Sequence, residues 1–144
     1  MSRAPTAFAR NFVSLTKTTI TMKTVLKLEE LGLLILFSLT YFLYFQGSWG
    51  LYLGLFFVPD VTFALFLITP KMGAIGYNIF HHKGVMALLM LAGYFLESDA
   101  MIKVGLIFMA HSCFDRVAGY GLKYFDSFDH THLGWVGKSK GKNE

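Results

Sequence analysis

This sequence predicts an all-α fold, an integral membrane bundle of about four transmembrane helices, on two observations. Hydrophobic residues make up 54% of the 144 positions and aromatic residues 17%, with a mean hydropathy of +0.50, and a chain this short cannot hide so much apolar surface from water. From Leu31 to Pro70 the only charged residue is Asp60, a stretch about twice the ~20 residues that one span needs.

The elements follow from where that apolar run is interrupted. Helix one is expected over 28–46 and helix two over 49–68, divided by a turn at Gln46-Gly47-Ser48, with Pro70 and Lys71 closing the second. Helix three is expected over 72–96, with His81, His82 and Lys83 near its middle, and helix four over 100–119 beyond a turn at Glu97-Ser98-Asp99. Trp49 and Tyr52 are expected in the outer membrane interface and Trp135 in the inner one.

Before and after this region the chain is basic. Residues 1–24 read as a basic N-terminal arm, 25–137 as the membrane domain and 138–144 as a basic C-terminal tail. The arm lacks acidic residues and is rich in Ser and Thr, so an organelle-targeting segment is its alternative reading, and Met22-Lys23 would also serve as a start. The net charge of +4 comes mostly from Arg3, Arg10, Lys17, Lys23 and Lys27 at one end and Lys138, Lys140 and Lys142 at the other. Four spans put both ends and the Pro70-Lys71 loop on one side, opposite the uncharged Gln46 turn and the acidic Glu97/Asp99 turn. The positive-inside bias therefore orients both termini toward the cytoplasm, with the lipid bilayer as the partner that the basic ends suit. No nucleic-acid partner is expected, since no basic nucleic-acid face, phosphate-binding glycine loop or nucleophile elbow is present. A lone cysteine, Cys113, excludes an intramolecular disulfide and a CxxC metal site.

Depth identifies the residues that carry chemistry. At ~1.5 Å per residue, Asp60 on helix two lies roughly 12 Å above the inner face, His81 and His82 on helix three roughly 13–15 Å, and His111 on helix four roughly 12 Å with Asp115 one turn below. Three helices thus bring ionisable groups to one level. Asn78 precedes His81 by three residues and Asp115 follows His111 by four, so each helix offers a polar pair on one face. A charge at that depth costs at least ~2.5 kcal/mol and is tolerated when paired, metal-bound or facing a wet cavity. Pro59 removes a backbone donor and is expected to kink helix two beside Asp60.

The set Asp60, His81 or His82, His111 and Asp115 has the mixed imidazole and carboxylate composition that suits Zn²⁺, Mn²⁺ or Fe²⁺. Asp60 as an interhelical clamp is the bland alternative. Arg116 is expected as a substrate anchor, or else as a partner in an internal salt bridge beside Asp115 or a snorkelling cation near the inner interface. The stretch from Gly119 to Gly134 is too polar to span and too aromatic to be a linker; it reads as an interfacial segment, or as a lid that returns His130 or His132 toward Asp115.

The runs Pro59-Asp60, Tyr77-Asn78-x-x-His81, Ala110-His111-x-x-x-Asp115-Arg116-x-x-Gly119-Tyr120-Gly121-Leu122-Lys123-Tyr124 and Thr131-His132-Leu133-Gly134 resemble a family of small bacterial membrane proteins, domain of unknown function 4260, over about residues 26–137. The resemblance implies a multi-pass protein of the bacterial plasma membrane and brings no established activity. The chain also bears a looser likeness to bacterial inner-membrane metal-dependent hydrolases. His81-His82-Lys83-Gly84 stands where those tend to show His-Arg-Gly, but the further His that follows that turn is missing, because Val85 to Leu96 contains none.

The leading expectation is therefore a metal-dependent membrane hydrolase acting on a lipid or other amphiphile. Its metal ligands would be Asp60, His81, His111 and Asp115, and its catalytic set His81, His111, Asp115, Arg116 and His132. A proton- or ion-coupled carrier and a structural membrane protein are the rival expectations.

Overall fold

The computed structural model describes the backbone of residues 7–137 and the side chains of 22–137. The side chains of Arg3, Arg10 and Lys17 and the tail carrying Lys138, Lys140 and Lys142 lie outside the described residues. The fold is mostly helical: α1 (Ala7–Leu39), a π-turn (Thr40–Tyr44), α2 (Trp49–Phe56), a 3₁₀ helix (Pro59–Leu67), α3 (Pro70–His81), α4 (Lys83–Phe95) and α5 (Asp99–Ala118). A two-residue hairpin, β1 (His130–Thr131) against antiparallel β2 (Gly134–Trp135), closes the described chain.

Expected helix one starts far earlier than residue 28, because the backbone of α1 is already helical at Ala7. It ends in a π-turn at which Tyr41 is fully buried, its hydroxyl donating to the Ser48 carbonyl at 3.0 Å. A side chain at Gly47 would run into the buried Tyr41 ring, so this turn requires glycine. Ser48 then caps α2 by accepting from the Leu51 amide. Tyr52 corrects one expectation: it is buried against Ser38 of α1, with the two hydroxyls 2.6 Å apart, while Trp49 is exposed. Its position within α2 turns it inward toward the aromatic cluster of Tyr41, Phe42 and Phe56.

Pro59 acts more strongly than a kink, since the α-helix ends at Phe56 and the chain continues as a 3₁₀ helix with Pro59 at its first turn. Pro70 does not close helix two. Thr69 accepts from the Met72 amide and caps α3, which Pro70 opens at a position where a missing N–H costs nothing. Helix three is not continuous either. His82 leaves the helical region (φ −84°, ψ 109°), ending α3 at His81, and its carbonyl accepts from Val85 and Met86 to start α4. The break lets α3 pack on the 3₁₀ helix while α4 packs along α5.

The expected helix four appears as α5 within one residue at each end, terminated by Gly119 in the left-handed region (φ 99°). This helix is the centre of the fold. Every residue from Gly105 to Cys113 is buried, packed by α1, α4 and α2. Outside it the molecule is apolar toward its surroundings: Leu43 is 73% exposed, Leu67 90% and Phe95 73%. Among the described residues one helical stretch, Trp49–Leu67, is long and apolar enough to cross a membrane by length and composition, and 17% of it is buried.

Candidate metal centre

Three elements build the site. α5 contributes His111 and Asp115, one turn apart on one face and both buried. α3 contributes Tyr77 and His81 by the same spacing, with His81 as its last helical residue and completely buried. The 3₁₀ helix contributes Asp60 from its first turn, with a third of the side chain exposed.

Their ligating atoms converge. His81 Nε2 lies 3.0 Å from His111 Nε2, 3.6 Å from Asp60 Oδ1 and 3.4 Å from Asp115 Oδ2. His111 Nε2 lies 3.4 Å from Asp60 Oδ1 and 3.9 Å from Asp115 Oδ1. One ligand atom from each of the four residues falls within 4.8 Å of all the others. A tetrahedron with metal–ligand bonds of ~2.0–2.1 Å has edges of about 3.3–3.4 Å, in the middle of these separations.

Surrounding contacts fix the orientation of the ligands. His81 Nδ1 lies 2.8 Å from the Tyr77 carbonyl oxygen, which only accepts, so the ring proton sits on Nδ1 and the Nε2 lone pair points into the cluster. The Tyr77 ring stacks on His81 at 3.7 Å, and its hydroxyl donates to Asp115 Oδ2 at 2.5 Å. The Phe56 ring meets His111 edge-on at 5.0 Å. His111 Nδ1 and Ser112 Oγ are buried with no hydrogen-bond partner among the described residues. Two carboxylates and two neutral imidazoles total −2, which one divalent cation cancels, so the donor set fits such an ion in both geometry and charge.

The remaining sequence-derived positions lie elsewhere. Asn78 does not line the cluster: its side chain accepts from the Lys123 amide at 2.7 Å and donates to the Lys123 carbonyl at 2.9 Å, pinning the segment after α5 to α3. Arg116 donates from Nη1 to the Tyr120 carbonyl at 2.8 Å. His132 Nδ1 accepts from the Leu122 amide at 2.8 Å, and it shares a cavity with Arg116 beside the cluster. His130 does not return toward Asp115; it bonds Asp126 at 2.8 Å and stacks on Trp135. His82 is exposed at the helix break, which leaves His81 as the inward member of the pair.

Two participants escaped the sequence reading. Tyr77 precedes His81 by four residues, a spacing that places it on the same helical face. Glu30 of α1 pairs with Lys83 of α4, both sitting just outside the uncharged runs. Only the fold brings them together, across 53 positions.

No curated protein and no solved structure matches the chain. A family model, Domain of unknown function (DUF4260), matches residues 23–136, and the chain belongs to that family.

Proposed function

We propose that this chain is a multi-pass membrane protein in which Asp60, His81, His111 and Asp115 hold a divalent ion, Zn, Mn or Fe, that serves hydrolysis of a phosphorylated or acylated amphiphile. The convergence of four ligand atoms from three elements within 4.8 Å carries the reading. Such an ion acts as a Lewis acid and lowers the pKa of bound water toward ~7. The chain's own residues do the positioning: Tyr77 holds His81 through its carbonyl and Asp115 through its hydroxyl. Asp60, the exposed ligand, marks the side from which water and substrate enter.

A membrane setting is supported by element lengths and by the surface. α2 contributes ~12 Å and the 3₁₀ helix ~18 Å, together the ~30 Å of a hydrocarbon core, and α5 is about as long. Large apolar side chains stand exposed on α1 to α5. Four spans with both termini cytoplasmic remain the arrangement that the charge distribution favours.

A proton relay is the second reading, favoured by the contiguous contacts from Tyr77 through Asp115 and His81 to His111. Elemental analysis of detergent-purified protein beside His111→Ala and Asp115→Asn separates the two. Near-stoichiometric metal in the parent that vanishes in both variants is the expected result. Its absence after purification without chelator and with metal added back would remove the metal reading and leave the relay.

A further inference from the structure

Residues 23–30 of α1, the end of α5 and the terminal hairpin enclose a cavity of about 670 Å³, which Arg116, the neighbour of Asp115, lines. Its polar wall carries three cations, Lys23 and Lys27 from α1 and Arg116 from α5, beside the imidazole of His132 from the hairpin. The acid on that wall, Glu30, has its carboxylate engaged by Lys83. None of the four basic side chains makes an ion pair among the described residues. Lys27 reaches across to α5, its Nζ 4.0 Å from where a Cβ on Gly119 would stand. His132 accepts through Nδ1, so its proton is on Nε2 and that nitrogen is a donor.

Like charges gathered without a counter-charge repel one another. Partial burial, and Arg116 nearby, hold the His132 imidazole below the ordinary histidine range. The rest of the lining is apolar or aromatic, including Leu26, Tyr120 and Trp135. Donors from three elements facing one space, with aromatic rings beside them, match an anionic head attached to an apolar body.

We propose that this cavity binds a phosphate group through Lys23, Lys27, Arg116 and His132. Two sources present that chemistry, the phosphomonoester headgroup of a lipid and free inorganic phosphate. The site stands on its own residues and not on the metal reading, so either can fail alone.

Native mass spectrometry of the full chain in detergent after chelator treatment, titrated separately with phosphatidic acid, inorganic phosphate and phosphatidylcholine, tests it. Saturable one-to-one binding of phosphatidic acid and not phosphatidylcholine, weakened about tenfold or more by Lys23→Gln/Lys27→Gln, is the expected result for a lipid source. Equal binding of inorganic phosphate with the same charge dependence assigns the site to soluble phosphate. Lys27→Gln/Arg116→Gln probes the far wall, while the α1 pair leaves the Arg116–Tyr120 bond intact, and circular dichroism confirms that each variant is folded. Absence of binding by both phosphate probes, equal binding of phosphatidylcholine, or binding undiminished in folded variants would overturn the proposal.

Discussion

His81 and His111, 30 residues apart in sequence, face each other Nε2 to Nε2 at 3.0 Å inside the bundle. With the His81 proton committed to the Tyr77 carbonyl, the His81 Nε2 lone pair, His111 Nε2 and the oxygens of both nearby carboxylates face one space. An ion held there would bind the folded chain and not the unfolded one, and would stabilise it by mass action. At ~100 times its dissociation constant the gain is about 2.7 kcal/mol. For a chain of this size that corresponds to roughly 5–10 °C in Tm. Thermal unfolding in detergent should therefore shift down on chelation and recover with Zn²⁺ or Mn²⁺. A parent indifferent to both treatments, or a His111→Gln variant responding as the parent does, would count against a metal centre.

Tyr77→Phe isolates the support given to Asp115. It removes the 2.5 Å hydrogen bond but keeps the ring stacked on His81 and on Phe63 at 5.3 Å. Hydrogen bonds that orient metal ligands are typically worth about 10–100-fold in affinity. Metal affinity of Tyr77→Phe, measured by competition with a chromophoric chelator, should fall within that range without loss of helical content. Unchanged affinity would assign the hydroxyl to packing alone.

The contrast between Asp115 and Asn78 shows how far the sequence could be read. Each shares a helix face with a site histidine, and that spacing points both toward the site. Asp115 is there; Asn78 turns to the Lys123 backbone, because helical periodicity fixes a direction but not which segment will occupy it. α5 was legible to within one residue, since Ser98 and Gly119 bound it and no proline interrupts it. The α3–α4 break was hidden because His82 and Lys83 are tolerable within a helix, and only packing against two different partners favours the extended residue between them. Tyr77 lay within the quoted family motif, yet its hydroxyl needed a partner 38 positions away to acquire a role. The cationic cavity joins the two ends of the domain, so no local window contains it.

The Glu30–Lys83 pair ties α1 to the start of α4, with side chains 20% and 30% exposed. Removing one member leaves the other charge in a mostly apolar setting, whereas removing both does not. Lys83→Met should destabilise by about 1–3 kcal/mol, discounting a fully buried pair for the remaining exposure. Glu30→Gln/Lys83→Met should recover most of that loss. A double-mutant cycle by thermal unfolding gives the coupling directly, and additive losses would show that the pair is not energetically joined.

Docking of the terminal hairpin should weaken as pH falls through the ordinary histidine value. His132 Nδ1 accepts from the Leu122 amide, and the groups around the ring are cationic: Arg116 on α5, with Lys23 and Lys27 across the cavity. Its pKa in the docked state is lowered, first by burial and then by Arg116. The undocked chain therefore takes up the proton more readily, so docking is fully supported above the ordinary histidine value of 6.5 and is lost progressively as pH drops below it toward the depressed value. Asp126 acts outside that window, because its bond to His130 lowers its pKa from 3.8. Amide exchange at Leu122 and His132, corrected for intrinsic rates, should show greater protection at about pH 7.5 than at about pH 5.5. His132→Gln keeps a side chain able to accept from Leu122 but cannot titrate in this range, and it should abolish the step. A step that persists in that variant would move the titration to another group, and equal protection at both pH values would mean that the backbone bonds from His132 to Leu122 and from Tyr124 to His130 suffice to hold the hairpin.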